Sequence, residues 1–193
     1  MPKVTEDHRK AQAERFVDAA RRCFTRSGVE RTSMDDIRTE AGVSAGLMYR
    51  YFGSKDEMIR AAIVGSLVEF EMLILETGSE SGATTPAGYM RLLLENLRRF
   101  RHSSAGVDLF KLAIQGWAHA QAQPLAHDLI AESFERQLVG YRAAAKRWTT
   151  ARKAPAAATA IASAVIGYIV QSAFSDDDLE IGQYCSGVIG LAP

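Results

Sequence analysis

Ser33-Met34-Asp35-Asp36-Ile37-Arg38-Thr39-Glu40-Ala41-Gly42-Val43-Ser44-Ala45-Gly46-Leu47-Met48-Tyr49-Arg50-Tyr51-Phe52-Gly53-Ser54-Lys55 holds two short helical patterns separated by a glycine. Ser33 and Asp36 have the spacing of a capping box, which marks the start of a helix. Ile37 and Ala41 lie four apart, so both face one side. Gly42 then interrupts the pattern where a tight turn demands dihedrals that a side chain resists. Ser44 opens a second helix reaching Phe52, with Met48 and Phe52 turned inward, and Gly53 stops it. Helix, turn at Ala41-Gly42-Val43 and helix together predict a helix-turn-helix.

The flanking sequence is also helical. Upstream, Ala13, Phe16, Val17, Ala20, Cys23 and Phe24 recur at spacings of three and four, predicting a helix from Glu6 to Ser27 that ends at Gly28. Downstream, Ser54-Lys55-Asp56-Glu57 is a full capping box. The stripe Met58, Ile59, Ile63, Leu67, Phe70 and Ile74 continues that helix to about Gly78, a length of roughly 35 Å. Ser79 to Pro86 reads as a loop. Further helices are expected at about Ala87–His102, Gly106–Ala120, Leu125–Thr149, Ala156–Phe174 and Asp177–Leu191. The expected fold is all-α with about nine helices. Residues 1–53 form a three-helix N-terminal domain, helix four (54–78) links it onward, and 79–193 form a larger C-terminal domain.

The second helix of the motif is too short to stand alone. Packing of Val43, Met48 and Phe52 against the first helix must hold it, which leaves its other face free for a major groove. Ser44, Ala45 and Gly46 are small enough for close backbone approach. Ala45 and Leu47 can meet a thymine methyl, and with Arg50 they are the candidates that tune sequence. Tyr49, Tyr51 and Lys55 are candidate phosphate contacts, and Thr32 and Ser33 place hydroxyls and amides at a helix N-terminus.

At these residues the chain resembles the TetR family of bacterial transcription regulators. The resemblance runs through Phe16-Val17-Asp18-Ala19-Ala20, Cys23-Phe24, Gly28, Thr32-Ser33-Met34-Asp35-Asp36-Ile37 and Ala41-Gly42-Val43-Ser44. It closes with Gly46-Leu47-Met48-Tyr49-Arg50-Tyr51-Phe52-Gly53-Ser54-Lys55-Asp56-Glu57, covering about residues 10–64. The family often carries Lys-Gly-Thr where this chain has Ala45-Gly46-Leu47, so one charge and one hydroxyl are missing, and Arg50 can replace the charge. The resemblance implies a homodimeric, cytoplasmic regulator that binds a palindromic double-stranded DNA operator. It also implies a C-terminal domain that takes a small-molecule effector, with repression relieved by that effector as the common mode.

The middle helices offer Phe70, Glu71, Phe110, Gln115, Trp117, His119, Phe134 and Tyr141 as candidate effector contacts. Most are aromatic, so the expected effector is modest in size and mainly apolar or aromatic. For the dimer interface the candidates are Ala162, Val165, Ile166, Ile169 and Val170, with Gly182, Cys185, Ser186, Ile189 and Gly190. Two apolar helices with small residues pack closely, and two copies make a four-helix bundle. The alternative is that these helices only cap the core of a monomer.

Other classes find little support. The chain has 23 Lys+Arg and 23 Asp+Glu over 193 residues, so bulk charge neither favours nor excludes nucleic acid. There is no Gly-rich phosphate loop, no nucleophile with an evident base and no metal-ligand spacing, so neither an enzyme nor a cofactor is expected. The two cysteines, Cys23 and Cys185, make no disulfide framework. The N-terminus lacks the apolar stretch of a signal peptide. Residues 154–175 carry no charge, but their Ala, Ser, Gly and Gln content favours a buried helix over a membrane span. A helical adaptor without DNA binding is the remaining alternative, and Tyr49, Tyr51 and Lys55 argue against it.

Overall fold

The computed structural model describes residues 6–80, 84–175 and 179–190. Among these residues there are nine α-helices. They are α1 (Glu6–Ser27), α2 (Met34–Ala41), α3 (Ala45–Tyr49), α4 (Lys55–Glu80), α5 (Pro86–Arg101), α6 (Leu109–Ala120), α7 (Pro124–Ala145), α8 (Ala154–Phe174) and α9 (Ile181–Gly190). The all-α expectation holds, and α1 has the bounds that its apolar spacing gave.

Local chemistry fixes most helix ends. Glu6 and Asp7 complement the positive end of α1, and the Gly28 amide donates to Phe24 O at 2.8 Å with φ 87°. Pro86 and Pro124 occupy first-turn positions, where a missing N–H costs nothing. Four ends differ from the sequence expectation by three residues or more. α3 stops at Tyr49 rather than Phe52. α6 starts at Leu109 rather than Gly106, because the Asp108 carboxylate accepts from the amides of Phe110 and Lys111. α7 stops at Ala145 rather than Thr149. α9 begins at Ile181, where Glu180 accepts from the amides of Gly182 and Gln183; Asp177 and Leu191 lie outside the described residues.

Two apolar clusters form the interior. The first gathers Phe16, Ala20, Phe24, Ile37, Met48, Met58 and Ile59 with Leu109, Leu112 and Ile130. It therefore runs from the helix-turn-helix into α6 and α7 without a polar break. The second joins Ile74, Leu93, Leu97, Tyr141, Val165 and Tyr168. α4 supplies Met58 to the first and Ile74 to the second. At roughly 39 Å it crosses the whole molecule.

Buried polar pairs tie the helices together. Arg21 on α1, 4% exposed, donates to Glu69 Oε1 on α4 at 3.1 Å from two nitrogens. Gly65 leaves room for that pair: a Cβ would lie 2.6 Å from Arg21 Nη2, so the guanidinium would have to shift. α8 is long and apolar enough to span a bilayer by composition, yet it packs along α7 and contributes eight buried residues to the interior. Cys23 and Cys185 are both free thiols, buried in separate clusters.

Candidate nucleic-acid interface and internal cavity

At α2 the capping box is closed in both directions. Ser33 Oγ accepts from the Asp36 amide at 3.1 Å, and Asp36 Oδ2 accepts from the Ser33 amide at 2.8 Å. Those Ser33 bonds hold the Asp36 carboxyl below its ordinary value. Gly42 takes φ 66° and ψ 38°, the left-handed conformation that the turn required. Ser44 then caps α3, accepting from the Leu47 amide. Met48, 1% exposed, and Phe52, 7% exposed, anchor α3 inward. Phe16 receives Tyr51 edge-on at 5.2 Å and Phe52 at 6.5 Å. On α2, Glu40 accepts from Arg22 Nε at 2.7 Å and from Arg26 at 3.3 Å, which clamps α2 to α1.

This packing leaves a distinct outer face. Ser44, Ala45, Gly46, Tyr49 and Arg50 are exposed, and Leu47 is half-buried. Nothing lies within 4 Å of where a Gly46 Cβ would sit, so the backbone there is open to close approach. Arg50 forms no ion pair among the described residues. Three expectations need correction. Thr32 is 2% exposed and its hydroxyl donates to Gly28 O at 2.8 Å, so that hydroxyl is spent inside the turn. The Ser33 hydroxyl is likewise spent on Asp36. Lys55 Nζ donates to Glu30 O at 2.9 Å, and Tyr51 is half-buried against Phe16, so both serve packing as well as the face.

Behind this unit, α4, α5, α6, α7 and α8 enclose a cavity of about 70 Å³. Phe70, Phe110, Trp117 and Phe134 line it, as their aromatic character suggested. The Trp117 and Phe134 rings are tilted by 41° with centroids 6.2 Å apart, and Phe70 meets Phe100 at 6.1 Å. Besides the indole N–H of Trp117, the polar side chains of the lining are Ser66 and Gln137, neither of which stands out in the sequence.

The other effector candidates lie elsewhere. Glu71 does not reach the cavity lining. It accepts from Ser133 Oγ at 2.6 Å and from Arg136 Nε at 2.9 Å. Burial opposes its ionisation, but those bonds prevail and hold it below its ordinary value. Tyr141 is wholly buried in the second cluster, and burial pushes its phenol well up. Gln115 and His119 leave α6 toward the loop after α1. Gln115 Oε1 accepts from the Val29 amide at 2.9 Å, and His119 Nδ1 lies 3.3 Å from Glu30 Oε1.

The expected dimer residues also divide. Ala162, Val165, Ile166 and Ile169 line the cavity, so they face the interior of the protomer. Cys185 is 4% exposed in the second cluster. Val170 and Gly182 are half-buried, Ser186 is exposed, and the side chains at 189 and 190 lie outside the described residues. The outward face of α8 instead presents Thr159, Ala160, Ser163, Gln171 and Phe174, the last 81% exposed.

Comparison with known proteins bears on the whole chain. Residues 16–62 match the family model for bacterial regulatory proteins of the tetR family. The chain is 32% identical over 141 residues to the HTH-type transcriptional regulator YfiR of Bacillus subtilis, covering 71% of this chain and 68% of that one. Its fold is similar to a TetR-family regulator from Mesorhizobium loti, with TM-score 0.75, 19% identity and 94% and 95% of the two chains covered. It is also similar to a transcriptional regulator from Saccharomonospora viridis solved in complex with choline, with TM-score 0.71, 16% identity and 94% and 95% covered.

Proposed function

This chain belongs to the TetR family of bacterial regulatory proteins and is a helix-turn-helix transcription regulator rather than an enzyme; from that premise we propose a homodimeric, cytoplasmic repressor released from a palindromic operator by a small-molecule effector. Residues 1–53 act as the DNA-binding unit, α4 as the link, and 79–193 as the effector-binding and dimerisation unit. Ala45, Leu47 and Arg50 read the groove, while Tyr49, Lys55 and the amides of Ser44 and Gly46 hold the backbone.

One observation carries the reading: α4 belongs to both units. Its first turns, with Met58 and Ile59, sit in the core that holds α3, and Ile63, Ser66, Leu67 and Phe70 line the cavity. The cavity is smaller than the roughly 150 Å³ that admits benzene in an engineered protein core. An effector larger than that must part the helices around it, and displacing α4 carries α1 along through the Arg21–Glu69 pair. In a dimer the recognition helices must stay about 34–36 Å apart to meet successive grooves. A small rotation of each subunit spoils that spacing.

The choline complex of the structural neighbour suggests a cation as an alternative effector class. No carboxylate lines the cavity here, so a cation rests on ring faces alone, whereas an uncharged effector needs no counter-charge. Selection of bound sequences from random double-stranded DNA tests the reading. A palindrome with half-sites one turn apart supports it, and recovery of no enriched sequence refutes it.

A further inference from the structure

The cavity has polar groups at few points, and one of them has a fixed sense. Gln137 is 6% exposed and lines the cavity beside Trp117 and Phe134. Its Nε2 donates to Ser133 Oγ at 3.1 Å, and Ser133 Oγ donates to Glu71 Oε1 at 2.6 Å. Glu71 is held as a carboxylate by Arg136, which donates to both of its oxygens. A carboxylate only accepts, so the Ser133 proton must point at Glu71. The Ser133 oxygen is then an acceptor and requires the NH2 side of the Gln137 amide. The chain of donors therefore fixes which way the amide faces. Among the described residues no group donates to Gln137 Oε1.

We infer that the cavity selects an uncharged, largely aromatic ligand carrying one hydrogen-bond donor, an O–H or N–H received by Gln137 Oε1. This rests on the reading of the cavity as the effector site and narrows its ligand class. An anion meets no cation in the lining and enters at an uncompensated desolvation cost, whereas a cation meets ring faces but no carboxylate and leaves Gln137 Oε1 without a donor unless it carries one. A neutral molecule with only acceptors offers nothing to Gln137 Oε1 and covers that oxygen without a donor. Glu71 and Ser133 act as positioning residues, since neither needs to touch the ligand.

The test uses the full chain and calorimetric titration with three probes of one shape: 4-ethylphenol, 4-ethylanisole and 4-ethylbenzoate. The wild type is expected to bind the phenol about tenfold more tightly than the anisole, the usual worth of one buried hydrogen bond. The benzoate is expected to give no binding heat. In Gln137→Leu the phenol and the anisole converge while the anisole retains its affinity. In Ser133→Ala the amide is freed to turn, and the preference narrows even if Gln137→Leu fails to fold. Equal affinities in the wild type, tighter binding of the benzoate, or an undiminished preference in both variants overturns the inference and leaves the effector site standing. Failure of all three probes to bind overturns the effector-site reading itself, and this inference with it.

Discussion

Arg50 stands exposed after the last turn of α3, beside a groove-facing surface of Ala45, Gly46 and half-buried Leu47. With so few charges on that face, Arg50 is expected to meet a phosphate as well as the groove, in place of the lysine that the family often carries where this chain has Ala45. Arg50→Ala is expected to weaken operator binding and to lower the slope of log affinity against log salt by about one. Anisotropy titrations across a salt series measure this, and an unchanged slope shows that Arg50 meets no phosphate. If Arg50 reads a base, the loss is unequal across operator variants. Asp108 matters for the scaffold rather than the interface. It caps α6 and receives Arg101 Nε at 3.1 Å and Nη2 at 2.8 Å, with Arg101 over the Phe110 ring. Burial raises the cost of ionising Asp108. The bonds from Arg101 and the amides of Lys111 and Phe110 outweigh it, and the carboxyl titrates below its ordinary value. Asp108→Asn removes the charge from the α6 cap and weakens its bonds from buried Arg101, and a loss of about 2 kcal/mol in urea unfolding near neutral pH is expected. The group titrates lower in the folded chain than in the unfolded one. Its contribution is therefore complete above the ordinary aspartate value of about 3.9 and disappears as pH falls through the folded value. The stability gap between wild type and variant should close in that acid range, and a gap constant with pH would exclude this origin.

Helix α6 faces two ways. Phe110, Ala113, Gly116 and Trp117 meet the cavity, while Gln115 and His119 meet the loop that follows α1. A displacement of α6 by an effector thus reaches the helix-turn-helix through the Gln115–Val29 bond. Gln115→Ala is expected to leave operator affinity without effector nearly unchanged. It should reduce the effector's influence on that affinity by about fivefold, the low end of ordinary coupling energies. Gel-shift titration with and without effector measures both, and full retained response assigns the coupling to α4 alone. The elements differ in how far their sequence announced them. The ends of α1 and α2 were legible because the capping groups are neighbours in sequence of the amides they satisfy, as Ser33 and Asp36 show. α8 is apolar on nearly every side, so its pattern does not encode which face points inward. Ala162, Val165, Ile166 and Ile169 read as an outer stripe and prove to line the cavity. Gln137 was illegible for another reason. On an amphipathic helix it is one polar residue among several, and its meaning comes from Ser133 and from Glu71, which lies 62 residues before Ser133.

Phe174, at the end of α8, is 81% exposed, and in the proposed dimer a partner surface covers its ring. The neighbouring outward positions are small or polar: Thr159, Ala160, Ser163 and Gln171 on α8, with Ser186 and Gly187 on α9. Small residues let helices approach closely. Tyr184 already fixes α9 against α8 by donating to Ala164 O, in a space that a side chain at Gly167 would fill. α9 itself packs chiefly on α5, and in the proposed dimer the outer face of α8 meets its symmetry mate and closes a two-fold interface. In that arrangement DNA binding depends on the closure. A monomer engages one half-site, whereas a dimer gains the second as an intramolecular event at high effective concentration. Phe174→Glu places a charge within the proposed contact, at the end of α8, and at micromolar concentration sedimentation should shift to the 21.1 kDa protomer. Operator affinity should fall by about a hundredfold as the linkage of half-sites is lost. Protomer helicity should persist, because the side chain touches little of its own fold. The same variant bound to a single half-site should match the wild type, which separates loss of pairing from damage to the recognition helix. A Phe174→Glu protein that remains dimeric would move the interface off this face of α8, and the spacing of the two recognition helices would then have to be set by another surface.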